Sequence, residues 1–108
     1  MGIATFILAK DAIKDRITRV NYDTVKLGFM GSFANKGSVV IKLYVDDTLL
    51  CFTNVHLEHG AKSLNTRLVN LSDIHQKAFN VVHIGKKREE KIEQCDYRFL
   101  LGDLNFRI

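Results

Sequence analysis

Two polar side chains placed two residues apart at the end of an apolar run are the part of this chain best suited to chemistry. They are Asp103 and Asn105 in Tyr97-Arg98-Phe99-Leu100-Leu101-Gly102-Asp103-Leu104-Asn105-Phe106-Arg107-Ile108. The run reads as a buried strand, and residues two apart on a strand share a face, so both side chains are expected to leave it toward one cleft. A carboxylate beside a carboxamide can deprotonate a water and orient a phosphate next to it. The plainer alternative is a strand-to-turn cap in which both side chains bond local backbone N–H groups.

A second polar pair closes another apolar segment, in Asn54-Val55-His56-Leu57-Glu58-His59. Asn54 and His56 share a face opposite Val55 and Leu57. A histidine there is placed to donate to a phosphoryl oxygen. His56 and His59 could also ligate a metal, but no third His or Cys lies at suitable spacing, so no metal ligand is assigned. A third segment, Gly31-Ser32-Phe33-Ala34-Asn35-Lys36-Gly37-Ser38, puts an amide and an ammonium at a glycine-containing turn. It is not a Walker A loop, because Lys36 precedes Gly37 rather than following a glycine and leading into Ser or Thr. Asn35 and Lys36 are read either as a lip that contacts phosphate or as an ordinary polar turn. His75 and His83 are given no role.

The elements that must position these groups can be read from periodicity. Gly2 to Leu8 reads as a buried strand and Asp11 to Val20 as a short helix or irregular edge. Ser38 to Val45 and Leu49 to Leu57 read as two strands joined at Asp46-Asp47-Thr48, an antiparallel hairpin. Leu64, Leu68, Leu71, Ile74, Ala78, Phe79 and Val82 recur at steps of three and four, an amphipathic helix with Ser63 as N-cap and Gly85 as terminator. A charged stretch from Lys86 follows, then the strand ending at Asp103. Strands joined through a crossover helix indicate a layered α/β fold.

Composition narrows the class without choosing the chemistry. The 108 residues fit at most one domain, and the net charge of +4 leans toward anionic partners, whether nucleic acid, acidic membrane or phosphorylated small molecules. No apolar run is long enough to span a bilayer, and Met1 to Lys10 lacks the basic start of a secretory signal. Phe6 stands where a myristoylation motif wants Ser or Thr. Cys51 and Cys95 are expected to be reduced core residues, and Asn70-Leu71-Ser72, inside the helix, a chance glycosylation match.

Taken together, the three polar segments resemble the inositol polyphosphate 5-phosphatases, and their synaptojanin-like branch in particular. Leu100 to Arg107 is similar to that family's Trp-x-Gly-Asp-x-Asn-(Phe/Tyr)-Arg motif, with Leu100 in place of Trp. Ala34 to Gly37 is similar to its Gly-Asn-Lys-Gly turn, with Ala34 the departure, and Cys51 to Leu57 to its Cys-Phe-x-x-x-His-Leu strand end. Arg67 and Ile74 fall where the following helix carries Arg and Ile.

The resemblance runs over the whole chain. It implies a partial DNase I-like fold, the endonuclease/exonuclease/phosphatase layered β-sandwich with flanking helices, and Mg²⁺-dependent hydrolysis of the 5-phosphate of phosphoinositides or inositol polyphosphates. Asp103 would then orient and deprotonate the attacking water. Asn105 would hold that water and the scissile phosphate, and His56 would donate to a phosphoryl oxygen. Asn35 and Lys36 would lie near the inositol phosphate. The family's metal-binding Glu and its Asp-His signature have no counterpart here. The chain is accordingly expected to be an internal part, residues 1–108, of a longer catalytic domain, inactive alone and cytoplasmic with peripheral membrane contact. The alternatives are a nuclease-type phosphodiesterase of the same superfamily, against which Phe106-Arg107 stands, and a non-catalytic phosphoinositide-binding remnant.

Overall fold

The computed structural model describes residues 2–28, 35–60, 63–80, 85 and 89–106. Among the described residues four strands form one sheet in the order β1-β2-β3-β4. They are β1 (Ile17–Lys26), β2 (Gly37–Val45), β3 (Thr48–His56) and β4 (Tyr97–Asp103), accompanied by a short helix α1 (Asp11–Lys14) and a longer one, α2 (Leu64–Lys77). The first three strands are antiparallel, and β4 runs parallel to β3. A parallel neighbour needs a crossover connection, and α2 lies within it.

The β2–β3 hairpin is the one expected from the sequence. Its two-residue turn places Asp46 at φ 52°, a left-handed conformation that Asp tolerates. Arg16 fastens the turn: its carbonyl accepts from the Asp46 N–H at 3.0 Å, and its Nε donates to the Asp46 carboxylate at 2.9 Å. Strict alternation along β3 buries Leu49, Cys51, Thr53 and Val55. On that side Val25, Leu27, Val40, Ile74, Ala78, Phe79, Ile92 and Cys95 complete the core. The other face of β3 carries Leu50, Phe52, Asn54 and His56, all half-buried. Phe52 stacks there on its β4 register partner Phe99, with ring centroids 5.1 Å apart.

Several expectations need correction. Gly2 to Leu8 forms no strand, and Phe6 and Leu8 are exposed; the segment instead lies across the sheet, with its Ala4 carbonyl accepting from Asn54. The residues 17–26, read in part as a helix or irregular edge, form the edge strand β1, with an irregularity between Thr18 and Asn21. Strand β4 is exposed along its whole length rather than buried, because among the described residues it pairs with β3 alone and little covers its faces.

Helix α2 ends at Lys77, well before Gly85. Ala78 is extended and Phe79 is left-handed, and the Phe79 N–H donates to the Asp23 carboxylate of β1 at 2.7 Å. Its buried line runs through Arg67, Leu71 and Ile74, while Leu64 and Leu68 face outward. Ser63 precedes the helix but its side chain makes no capping bond. Val82, His83 and the Lys86-Lys87-Arg88 run lie outside the described residues.

Both cysteines are free and buried, as expected. Burial pushes the Cys51 thiol up from its ordinary value and the Cys95 thiol up to about 12. No helix among the described residues is long and apolar enough to cross a membrane.

Candidate active site

The exits of β3 and β4 are drawn together by the sheet itself. In the parallel register His56 stands opposite Asp103, and on the antiparallel side it stands opposite Gly37. The His56 ring therefore lies between the start of β2 and the end of β4. Lys36, the residue before β2, is 6% exposed and places its Nζ 2.9 Å from His56 Nε2. The same ring nitrogen is 3.7 Å from Asp103 Oδ2. The Asp103 side chain is 63% exposed, so its carboxylate is open to water and solute.

A glycine makes this approach possible. Gly102 has φ +113°, and a Cβ there would run into the Val55 carbonyl oxygen and come within 2.5 Å of Asn54 Oδ1. Only glycine fits this combination of left-handed backbone and contact with β3. Beyond Asp103 the chain turns back, with Asn105 also left-handed at φ 53°. Asn105 thus does not continue the strand on the Asp103 face, contrary to the simple two-residue reading. The turn brings the two together by another route: the Asn105 N–H donates to Asp103 Oδ1 at 3.2 Å. Asn105 Nδ2 donates to the Leu57 carbonyl at 2.8 Å, and the Leu57 N–H donates to the Asp103 carbonyl at 3.0 Å. Local capping and a polar cluster are therefore both present in the same residues. One amide hydrogen and the carbonyl oxygen of Asn105 are not used in these bonds.

Asn54, one pleat before His56, donates through Nδ2 to the Ala4 carbonyl and the Thr5 hydroxyl, both at 3.0 Å. This holds the segment from Gly2 beside the site, where it borders an open depression of about 220 Å³ lined by Gly2, Ile3, Ala4, Asn54, Val55, His56 and Asp103. Asn35 is exposed and does not line it. The structure thus gathers Lys36, His56, Asp103 and Asn105, and leaves Asn35 at the rim of the turn. Residues 31–34 of that turn, and Arg107, lie outside the described residues.

Arg67 is a further contributor whose role spacing did not reveal. Its side chain, 3% exposed, reaches from α2 to the β3 exit, donating from Nη1 to the Gly60 carbonyl at 2.6 Å and toward that of Glu58 at 3.4 Å. Its guanidinium carbon lies 4.9 Å from the Phe106 ring centroid, just past the β4 exit. The helix therefore braces both loops that carry the polar cluster. The sequence signal was an Arg on the buried side of a helix, a residue type almost never buried without partners.

Among the described residues no three His, Cys, Asp or Glu side chains converge to hold a metal. Mg²⁺ asks for six oxygen ligands in near-ideal geometry, and this donor set alone does not supply them.

Similarity to known proteins follows the same regions. Residues 1–108 match the Endonuclease/Exonuclease/phosphatase family 2. Among curated proteins, the chain is 33% identical over its whole length to the type I inositol polyphosphate 5-phosphatase 8 of Arabidopsis thaliana, covering 23% of that protein. It is 30% identical, over 99% of its length, to the phosphatidylinositol 3,4,5-trisphosphate 5-phosphatase 1 of Rattus norvegicus, covering 9% of it. The crystal structure of the inositol polyphosphate 5-phosphatase domain of a synaptojanin, in complex with inositol (1,4)-bisphosphate and calcium ion, superposes with a TM-score of 0.72. That match has 28% identity over 91% of this chain and 26% of the other. The chain spans about a quarter or less of each of these proteins, and its mixed sheet with helices matches part of the DNase I-like fold of the synaptojanin domain. The chain belongs to the Endonuclease/Exonuclease/phosphatase family 2.

Proposed function

We propose that this chain is part of the catalytic domain of an inositol polyphosphate 5-phosphatase, hydrolysing the 5-phosphate of phosphoinositides or inositol polyphosphates. The observation that carries the reading is the meeting of Lys36, His56 and Asp103 where the start of β2 adjoins the exits of β3 and β4. An exposed carboxylate there can take a proton from water, a contribution worth about 10²–10⁴-fold in rate. The Lys36 ammonium beside it can receive a phosphoryl oxygen. Asn105 is fixed by Leu57, and its remaining amide hydrogen and oxygen can orient the water. The similarity to curated 5-phosphatases supports the substrate class.

The site assembled here is incomplete by this reading. Mg²⁺, the cofactor the family implies, would supply charge stabilisation at the phosphoryl oxygens when bound, with ligands from outside the described residues. The half-exposed Phe99, Leu100 and Leu101 of β4 support a surface that further protein covers. We infer that the isolated 108 residues turn over little or no substrate, and that the complete protein works in the cytoplasm at membrane surfaces. The test is phosphate release by the protein containing this chain from an inositol phosphate with and without the 5-phosphate, beside abasic DNA. Release confined to the 5-phosphorylated compound supports the proposal. Cleavage of DNA alone moves the assignment to the nucleases, and lipid-vesicle binding with no release moves it to a binding remnant.

A further inference from the structure

The Lys36–His56 contact decides which nitrogen of His56 carries a hydrogen. A lysine ammonium has hydrogens to give and no lone pair to accept with. Its Nζ lies 2.9 Å from His56 Nε2, a normal hydrogen-bond distance. Nε2 must then accept, and in a neutral imidazole with Nε2 accepting, the ring hydrogen is on Nδ1. The 3.7 Å separation between His56 Nε2 and Asp103 Oδ2 agrees, since two acceptors that face each other without a hydrogen between them do not close to bonding distance.

Burial makes the arrangement specific. Lys36 is 6% exposed, and the backbone around it is fixed at both ends of the contact. The Leu27 N–H donates to the Lys36 carbonyl at 3.2 Å, and Gly37 pairs with His56 in the β2–β3 register. The ammonium therefore approaches the ring from a set direction rather than as a freely rotating surface group.

We propose that Lys36 is the positioning residue that fixes the tautomer of His56, keeping Nε2 as an acceptor and the ring hydrogen on Nδ1. On the Nε2 side of the ring, the side nearest Asp103, the hydrogens then belong to the Lys36 ammonium and not to the imidazole. Resting on the 5-phosphatase reading, this revises the roles expected from sequence. Lys36 is the donor that meets a phosphoryl oxygen arriving on that side, and His56 is the group that aims it. The tautomer itself holds whether or not that reading does.

The test is long-range ¹H–¹⁵N correlation spectroscopy of ¹⁵N-histidine-labelled protein without substrate, at about pH 8, above the ordinary imidazole titration. The His56 signals are assigned by their loss in His56→Gln. The expected result is an unprotonated Nε2 and a protonated Nδ1 in the parent protein, with the hydrogen moving to Nε2 in Lys36→Met. A protonated Nε2 in the parent overturns the proposal, and so does an unchanged tautomer in a folded Lys36→Met. Should Lys36→Met not fold, Lys36→Arg keeps a donor and must keep the parent tautomer; its loss there also overturns the proposal. Because no turnover is measured, a negative result leaves the hydrolysis reading standing, and failure of that reading leaves the tautomer unaffected.

Discussion

His56 and Asp103 are register partners across the parallel β3–β4 pair, with Nε2 and Oδ2 3.7 Å apart. Their proximity is a property of the sheet and not of flexible loops, so changes that shift the β4 register act directly on the site.

Gly102 is the most sensitive point of that register. A Gly102→Ala substitution combines a left-handed φ with a clash against the Val55 carbonyl. The strain alone costs on the order of 1–3 kcal/mol, and the collision adds to it. Urea denaturation should show a clear fall in midpoint. Stability equal to the parent would mean that β4 does not lie this close to β3.

Arg67→Met tests the brace between α2 and the two exits. Two backbone carbonyls lose a charged donor, and hydrogen bonds to charged groups are worth roughly 1.5–3 kcal/mol each. Loss of stability, together with faster amide exchange across Leu57 to Gly60 and at Asp103 to Phe106, is the expected pattern. If the exchange change stays within α2, Arg67 does not couple those loops.

Ile74, in the last turn of α2, is fully buried in the core cluster it shares with residues of the sheet. Ile74→Ala should cost about 2–5 kcal/mol through lost transfer energy and the cavity left behind. A cost comparable to that of a surface substitution in thermal unfolding would place α2 off the sheet.

The Cys95 thiol gives a pH signature. Its folded value is pushed up to about 12, chiefly by burial, from an ordinary 9.0. The folded state therefore holds its proton where the unfolded chain gives it up. The associated stability is complete below about pH 9 and is lost as pH rises toward 12. Cys95→Ala should flatten that alkaline decline relative to the parent, measured by urea unfolding across the range. An identical slope in the variant would contradict the burial of this thiol. Thiol-specific reagents should also label the folded protein slowly near neutral pH.

Much of this arrangement was legible in the sequence, and the failures have physical causes. The hairpin was readable because Val40, Ile41 and the Leu49–Leu57 alternation are set by burial, and its Asp-Asp turn by backbone preference. The three polar segments were readable because each sits at the end of an apolar run. Strand β4 reads as buried but is exposed, because apolar composition records what a surface prefers, not whether these residues cover it. Helix α2 stops early because Asp23, more than fifty residues away, captures the Phe79 N–H, a contact no local pattern encodes. Asn105 departs from strand geometry for a similar reason, held by the Leu57 carbonyl of the neighbouring strand. Gly2 to Leu8 has the composition of a strand but meets no sheet edge among the described residues.

The most direct test of the central claim compares phosphate release from a 5-phosphorylated inositol phosphate by the protein containing this chain and by its Asp103→Ala variant. The account predicts turnover in the parent and a fall of at least about 10²-fold in the variant, with folding retained. Undiminished release by a folded Asp103→Ala protein would contradict it.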